Sequence, residues 1–148
     1  MRPRTVGRTT LAALAAFVTV SCSSVGPVAV HAGDQCFRCR QTISETKLAG
    51  ELIDASANRF VSKFRTPGCM AKYLVDHPDE TGTMFATDYA SGHMVNPNRL
   101  LFVEFLVNAN TGERDYRAYL NRSDADAAAL ETHSVPVDWK TVLQKARS

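Results

Sequence analysis

The sequence lacks the common motifs of hydrolases and kinases. It has no His-Glu-x-x-His, no phosphate-binding glycine loop, no paired-carboxylate motif and no Ser-His-Asp arrangement. It also has no internal repeat and no low-complexity tract. Covalent haem attachment needs Cys-x-x-Cys-His, but Arg40 follows the Cys-x-x-Cys of this chain. These absences leave an enzymatic role without support, and we predict that the protein is not an enzyme.

The chain carries little net charge once its N-terminus is set aside. The 148 residues include 17 basic and 15 acidic side chains, a formal charge of +2. Three of the arginines (Arg2, Arg4 and Arg8) and no acid lie in residues 1–32, so the remainder is about neutral. This charge gives no support for a nucleic-acid partner. Residues 33–148 are enough for one domain with a single core.

The N-terminus predicts export. The basic first ten residues precede an apolar run over Leu11–Val20, which is too short to span a bilayer. No later apolar stretch approaches that length. We therefore interpret residues 1–32 as a signal peptide and place the protein outside the cytoplasm, in the periplasm.

The end of this signal can be placed in two ways. Residues 19–22, Thr-Val-Ser-Cys, resemble a lipoprotein processing site, which would put a lipid anchor on Cys22 and hold the protein at the membrane. Residues 30–32, Val-His-Ala, offer cleavage after Ala32 instead, which would release a protein that begins at Gly33. The sequence leaves both alternatives open.

Three cysteines remain after the signal, namely Cys36, Cys39 and Cys69. An odd number of thiols cannot all pair within one chain, so at least one is free or bound to a metal. Thiolates are soft ligands that select copper(I), zinc or iron-sulfur centres. The alternative is a Cys36–Cys39 disulfide with Cys69 buried in the core.

The remaining pattern predicts a small α+β domain with an antiparallel sheet and short helices. Thr66 and Pro67 are typical of a helix start, which puts Cys69 in the first turn, where the helix dipole favours a thiolate. The nearly continuous apolar run of residues 100–107 is the best candidate for a central strand. We predict strands over residues 47–54, 59–64, 83–89, 99–107 and 115–120, and helices over residues 68–75, 123–132 and 138–146.

From Cys36 to about Leu143 the chain resembles the NosL family, the copper-binding lipoproteins that accompany nitrous oxide reductase. Three blocks carry the resemblance in the same order: Cys-Phe-Arg-Cys with Thr-Ile-Ser after it (36–44), Phe-Arg-Thr-Pro-Gly-Cys-Met (64–70), and Thr-Asp-Tyr-Ala-Ser-Gly (87–92). The resemblance identifies the chain as a divergent member. It implies two related ββαβ-type halves in residues 33–148, one bound copper(I), and delivery of copper to the reductase.

Two sulfur ligands of the family pattern are missing from this sequence. Gln41 stands where the family has a methionine, and residues 110–113 contain none where another is expected. The resemblance therefore transfers Cys39 to a copper site but not the rest of the ligand set. We predict that Cys36, Cys39 and Cys69 supply the sulfur donors. Weaker candidate ligands are Met70, which is also suited to the core, and His93 and Met94 in the following loop.

Two other functions use the same residues. A zinc-stabilised structural or interaction module could be built from Cys36, Cys39, Cys69 and His93, which gives the four ligands of a closed zinc site. A thiol-disulfide redox protein would use Cys36 and Cys39, although no predicted strand precedes that pair. The preferred interpretation is a copper(I)-binding metallochaperone, or a copper-sequestering accessory protein, for a periplasmic copper enzyme.

Overall fold

The structure, a computed structural model, describes residues 24–148. Cys22 and most of the predicted signal peptide lie outside these residues. Among the described residues, no helix is both long enough and apolar enough to cross a bilayer. The strands are Gly50–Asp54 (β1), Val61–Phe64 (β2), Gly82–Thr87 (β3), Met94–Val95 (β4), Leu101–Asn108 (β5) and Glu113–Tyr119 (β6), and the helices are Pro67–Asp76 (α1), Arg122–Thr132 (α2) and Trp139–Ala146 (α3).

The strands form two antiparallel sheets, so the predicted α+β class is confirmed. β2, β1, β3 and β4 lie side by side in one sheet, and β5 pairs with β6 in the other. The fold has two halves. In the N-terminal half, β1 lies between β2 and β3; in the C-terminal half, β5 pairs with β6 on one side and contacts Val137 on the other through a single bridge at Phe102. The two halves therefore share the order ββαβ, with the last strand of the second reduced to one bridge.

The strand predicted over residues 99–107 is present as β5, which pairs with β6 on one side and, through Phe102, with Val137 on the other. β5 lies in the two-stranded sheet, and its distal residues Leu106 and Val107 are exposed. Its apolar run reflects two separate cores. Phe102 packs against Trp139 in the main core, whereas Val103 lies in a smaller core with three alanines of α2. A strand buried on both faces reads as continuous apolar sequence whether or not it is central.

Sequence signals placed the helix starts well where a cap was present. Thr66 caps α1 by accepting a hydrogen bond from the Cys69 amide, and Pro67 occupies the first turn. Asp138 caps α3 in the same way through the Thr141 amide. Trp139 and Val142 of α3 are buried. α2 begins one residue before the predicted Ser123, and its N-cap makes no side-chain hydrogen bond.

Asp88 ties the two sheets together. Its carboxylate accepts hydrogen bonds from the Ser91 amide, the Ser91 hydroxyl and the Leu120 amide, which follows β6. The Tyr89 amide donates to the carbonyl of Ala118 beside it. Burial opposes ionisation of Asp88, but these donors outweigh it and hold the pKa of Asp88 below its ordinary value. Asp88 is therefore a structural anchor between the two sheets.

We expect Asp88→Asn to lower the free energy of unfolding by about 1–2 kcal/mol at pH 7. Because the folded-state pKa lies below the unfolded value near 3.8, the stabilisation is present above that value and is lost as pH falls through the folded pKa. Urea denaturation at pH 7 and near pH 3 measures this, with exposed Asp79→Asn as the control. An equal deficit at both pH values would exclude the charged hydrogen bonds as its source.

The segment after residue 24 lies against the outer face of the first sheet. The Val28 amide donates to the buried carboxylate of Glu51 (2.8 Å), and Lys63 donates to the Ala29 carbonyl (3.0 Å) and to Asp34 (2.7 Å). Burial raises the pKa of Glu51, and its second oxygen has no partner. Cleavage after Ala32 would remove the only amide that this carboxylate uses among the described residues.

The free energy of unfolding is therefore expected to be about 1–3 kcal/mol lower for a chain that begins at Gly33 than for one that begins at Ser24. The reason is the loss of the Val28 and Ala29 hydrogen bonds at Glu51 and Lys63. Urea denaturation of the two chains measures the difference. Val28→Ala in the longer chain is the control, because it keeps the amide. Equal stabilities of the two chains would show that residues 24–32 do not hold this face.

Candidate metal centre

Two of the three thiols belong to a short loop that leads into the first sheet. A single bridge between Gln35 and Thr42 closes the loop. Within it the Arg40 amide donates to the Cys36 carbonyl, and the Cys36 amide donates to the Gln41 carbonyl (both 2.9 Å). The Phe37 amide donates to the Lys63 carbonyl of β2 (2.7 Å) and fixes the loop to the sheet. The backbone therefore sets the directions of Cys36 and Cys39.

The third thiol, Cys69, is set by the start of α1. The Thr66 hydroxyl accepts from the Cys69 amide (3.1 Å) and donates to Asp115 (2.6 Å). The Gly68 amide donates to the same carboxylate (2.9 Å). A Cβ on Gly68 would lie 2.6 Å from an oxygen of Asp115, so only glycine allows this approach. Asp115 in β6 thus fixes the first turn of the helix and, with it, Cys69.

The loop and the helix start bring the three sulfurs together. All three Sγ atoms lie within 4.8 Å of one another, and those of Cys39 and Cys69 are 3.8 Å apart. Three thiolates bound at about 2.3 Å to one trigonal ion are about 4 Å apart, whereas a disulfide needs about 2.05 Å. All three thiols are free. The distances between the sulfurs therefore suit three ligands of a single soft metal ion and are too long for a disulfide bond.

The three thiols differ in their access to solvent. Cys36 is fully buried and Cys69 is 9% exposed, while Cys39 is half-buried. Cys36 and Cys69 belong to the main core, with Phe37 and Cys39 packed against it, and Phe37, Phe64 and Tyr73 pack edge to face or tilted beside them. A metal held here would be reached from the Cys39 side.

The thiols also differ in acidity. The shared hydrogen bond with Cys69 lowers the pKa of Cys36 to about 4, against the opposing effect of burial, and amides of Cys39 and Arg65 act in the same direction. The same hydrogen bond and burial raise the pKa of Cys69. Within this pair Cys36 forms a thiolate readily, while Cys69 keeps its proton. Thiol ligands are deprotonated when they bind a metal, so uptake of an ion would release the Cys69 proton.

The remaining candidate ligands, Met70, His93 and Met94, differ in their surroundings. Met70 is fully buried in the main core, where its sulfur lies against Gly50 of β1. His93 is exposed and Met94 half-buried, and both line a cavity of about 470 Å³ between β4 and the segment of residues 27–30. In residues 24–148, the three cysteines form the one group of His, Cys, Asp or Glu donors close enough to share an ion, and His93 is outside it.

Asp115 and Gly68 are the site residues that sequence reasoning missed. Asp115 is buried, which raises its pKa, although its three hydrogen-bond donors oppose that effect. Its partners Thr66 and Gly68 precede it by 47–49 residues, so no local pattern links them. The sequence shows a glycine before Cys69, but the need for glycine there comes from the Asp115 carboxylate on β6.

Arg40 has an unusual backbone conformation for a residue beside a ligand. Its φ of 62° lies in the left-handed region, which glycine adopts freely and which costs other residues on the order of 1 kcal/mol. Its guanidinium lies over the ring of Phe37, 5.3 Å from the centroid. The loop geometry therefore keeps the side chain at the surface next to Cys39.

Comparison with solved structures finds a likeness that covers most of the chain. The crystal structure of the copper chaperone NosL from Shewanella denitrificans aligns with a TM-score of 0.66 over 81% of this chain and 97% of that one, at 16% sequence identity. The chain has the NosL fold. The fold that the resemblance implied is thus confirmed. No protein-family model matches the sequence, and no curated protein matches it significantly.

At 16% sequence identity this likeness shows a shared fold. Apart from the fold, the cluster of three cysteines places three sulfur donors within reach of one metal ion.

Proposed function

We propose that this protein is an exported copper(I)-binding metallochaperone that holds one copper ion on Cys36, Cys39 and Cys69. The observation that carries the proposal is the grouping of three cysteine sulfurs within 4.8 Å on the fold of a copper chaperone. Copper(I) accepts two or three soft donors in linear or trigonal geometry. Copper is here the cargo, and the protein does no chemistry on it.

Three thiolates without a thioether suit tight retention. The family pattern pairs thiolate with methionine, whereas Gln41 replaces that methionine here and Met70 lies against Gly50 in the core. We infer that the protein sequesters copper until an acceptor displaces it. The proposed recipient is a periplasmic copper enzyme, with nitrous oxide reductase as the candidate that the resemblance names.

Membrane attachment is part of the same proposal. Val28 and Ala29 hydrogen-bond to the sheet, so processing upstream of them, at Cys22, preserves these contacts. A lipid on Cys22 would then hold the domain at the membrane surface, close to the exported enzyme. Mass spectrometry of the exported protein tests this: a diacylglycerol-modified Cys22 supports the proposal, and a mature N-terminus at Gly33 contradicts it.

Zinc is the competing metal. A closed zinc site has four protein ligands, and the structure supplies three cysteines with His93 outside the group. Anaerobic protein should therefore take up one copper(I) in the presence of excess zinc. Metal analysis after desalting measures this, with His93→Gln as the control that should change nothing. One retained zinc and no copper would replace the proposal by the zinc-stabilised module.

A redox role for Cys36 and Cys39 has less support. The low pKa of Cys36 is also found in redox cysteines, but the third thiol lies 3.8 Å from Cys39 and offers a metal a complete set of donors. Copper-loaded protein should resist oxidation to a disulfide by glutathione disulfide. Rapid formation of a Cys36–Cys39 disulfide with release of the metal would favour the redox function.

A further inference from the structure

The surface beside Cys39 combines two arginines with two aromatic rings. Arg38 and Arg40 are exposed on either side of Cys39. The ring of Phe37 lies under Arg40 and meets the ring of Phe60 edge to face at 5.8 Å. Phe60 is 58% exposed, although it is a large apolar side chain. We define Phe37, Arg38, Cys39, Arg40 and Phe60 as the loop face.

The loop face carries positive charge, whereas the domain as a whole is about neutral. Residues 33–148 are about neutral, but Arg38 and Arg40 stand together beside the most accessible sulfur. Arg38 meets Asp76 at 3.3 Å, and both side chains are too exposed for that pair to bind strongly. Within residues 24–148, no carboxylate forms an ion pair with Arg40. The Arg40 charge is therefore available to a partner.

The backbone at Arg40 argues against an incidental arginine. Glycine would adopt its φ of 62° without strain, and the arginine side chain is exposed, with its guanidinium stacked on Phe37. Fold stability alone would favour glycine at this position. The charge beside Cys39 is the property that the arginine adds.

We propose that the loop face docks a copper acceptor protein whose metal-binding donors are bordered by acidic residues. The inference rests on the proposed function. Cys39 is the half-buried ligand, so an incoming donor would bond to copper there as the bond from copper to the Cys39 sulfur breaks. Copper stays copper(I), no electron is transferred, and one copper–donor bond replaces another. Arg38 and Arg40 attract the acidic border, and the aromatic pair supplies apolar contact.

Two copper(I) chelators with the same phenanthroline core separate charge from affinity. Bathocuproine disulfonate is anionic and neocuproine is neutral. Copper transfer to the anionic chelator, measured by stopped flow, should be about tenfold faster from the wild type than from the variant Arg38→Gln/Arg40→Gly, which lacks both positive charges. Transfer to neocuproine should have the same rate from both proteins. High salt should remove the difference. Arg40→Gly alone should be at least as stable as the wild type, which excludes unfolding as the cause.

The outcomes separate this inference from the proposed function. Failure of the protein to bind copper(I) at all would overturn both. Normal copper binding with equal transfer rates in wild type and variant would overturn only the loop face as an electrostatic docking site. Vesicles of phosphatidylglycerol provide a third arm. If the wild type binds these vesicles and the arginine variant does not, while both transfer copper to the chelators at the same rates, the loop face binds the membrane. That result would contradict an acidic protein partner.

Discussion

Replacing Cys39 by serine is expected to weaken copper(I) binding by more than about a hundredfold. Loss of a supporting residue around a metal site costs about 10–100-fold in affinity, and loss of a direct ligand costs more. A serine hydroxyl is a hard donor that copper(I) binds poorly. Cys39 is the most informative of the three ligands because it is half-buried, so the substitution disturbs the core least. Anaerobic competition with a chromogenic chelator measures the affinity.

Cys36→Ser and Cys69→Ser should lose affinity by a similar factor, since the three sulfurs form one group. Met94→Leu is the matched control, because Met94 is also a soft donor but lines the cavity between β4 and residues 27–30, whose lining includes none of the three cysteines. It should keep wild-type affinity. A loss in Met94→Leu equal to that in Cys39→Ser would place the copper elsewhere than the three thiols.

Gly68→Ala is expected to lower the free energy of unfolding by about 2–4 kcal/mol. The added methyl would lie 2.6 Å from the nearer oxygen of Asp115, so either the helix start or the carboxylate must move. Movement breaks the hydrogen bonds from Thr66 and Gly68 to Asp115. Because Cys69 is the next residue, copper affinity should fall as well. Urea denaturation and the copper competition assay measure the two effects.

Gly26→Ala is the matched control, because a Cβ at Gly26 has no atom within 4 Å. It should change neither stability nor affinity. Asp115→Asn keeps the shape of the carboxylate and should have a smaller effect than Gly68→Ala. A Gly68→Ala variant as stable as the wild type would show that Asp115 does not fix the start of α1.

The sequence predicted local features and missed those that depend on distant partners. The cap at Thr66 and the first turn of α1 were readable from three adjacent residues, and so was the position of Cys69 near the helix dipole. Ligand chemistry and the family resemblance predicted that Cys69 groups with Cys36 and Cys39. In the structure their sulfurs lie within 4.8 Å of one another. Local patterns and donor chemistry were sufficient for the main elements of the site.

The features that the sequence did not predict have a common physical cause. The apolar run of β5 predicted a strand, but not that Phe102 and Val103 face two different cores. Asp115 was read only as part of a strand, because the groups that it binds lie near residue 67. The sequence left open whether residues 24–32 stay with the mature domain, because the hydrogen bond from Val28 to Glu51 joins two distant segments. Each of these features depends on contacts between segments that are far apart in the sequence.

X-ray absorption spectroscopy of the anaerobically copper-loaded protein tests the central claim most directly. We expect copper(I) with sulfur ligands only, in a trigonal arrangement drawn from Cys36, Cys39 and Cys69. The Cys69→Ser variant should show one sulfur fewer, because its thiol lies 3.8 Å from that of Cys39 in the ligand group. Nitrogen coordination in the wild type, or an unchanged sulfur shell in Cys69→Ser, would contradict the three-thiolate site.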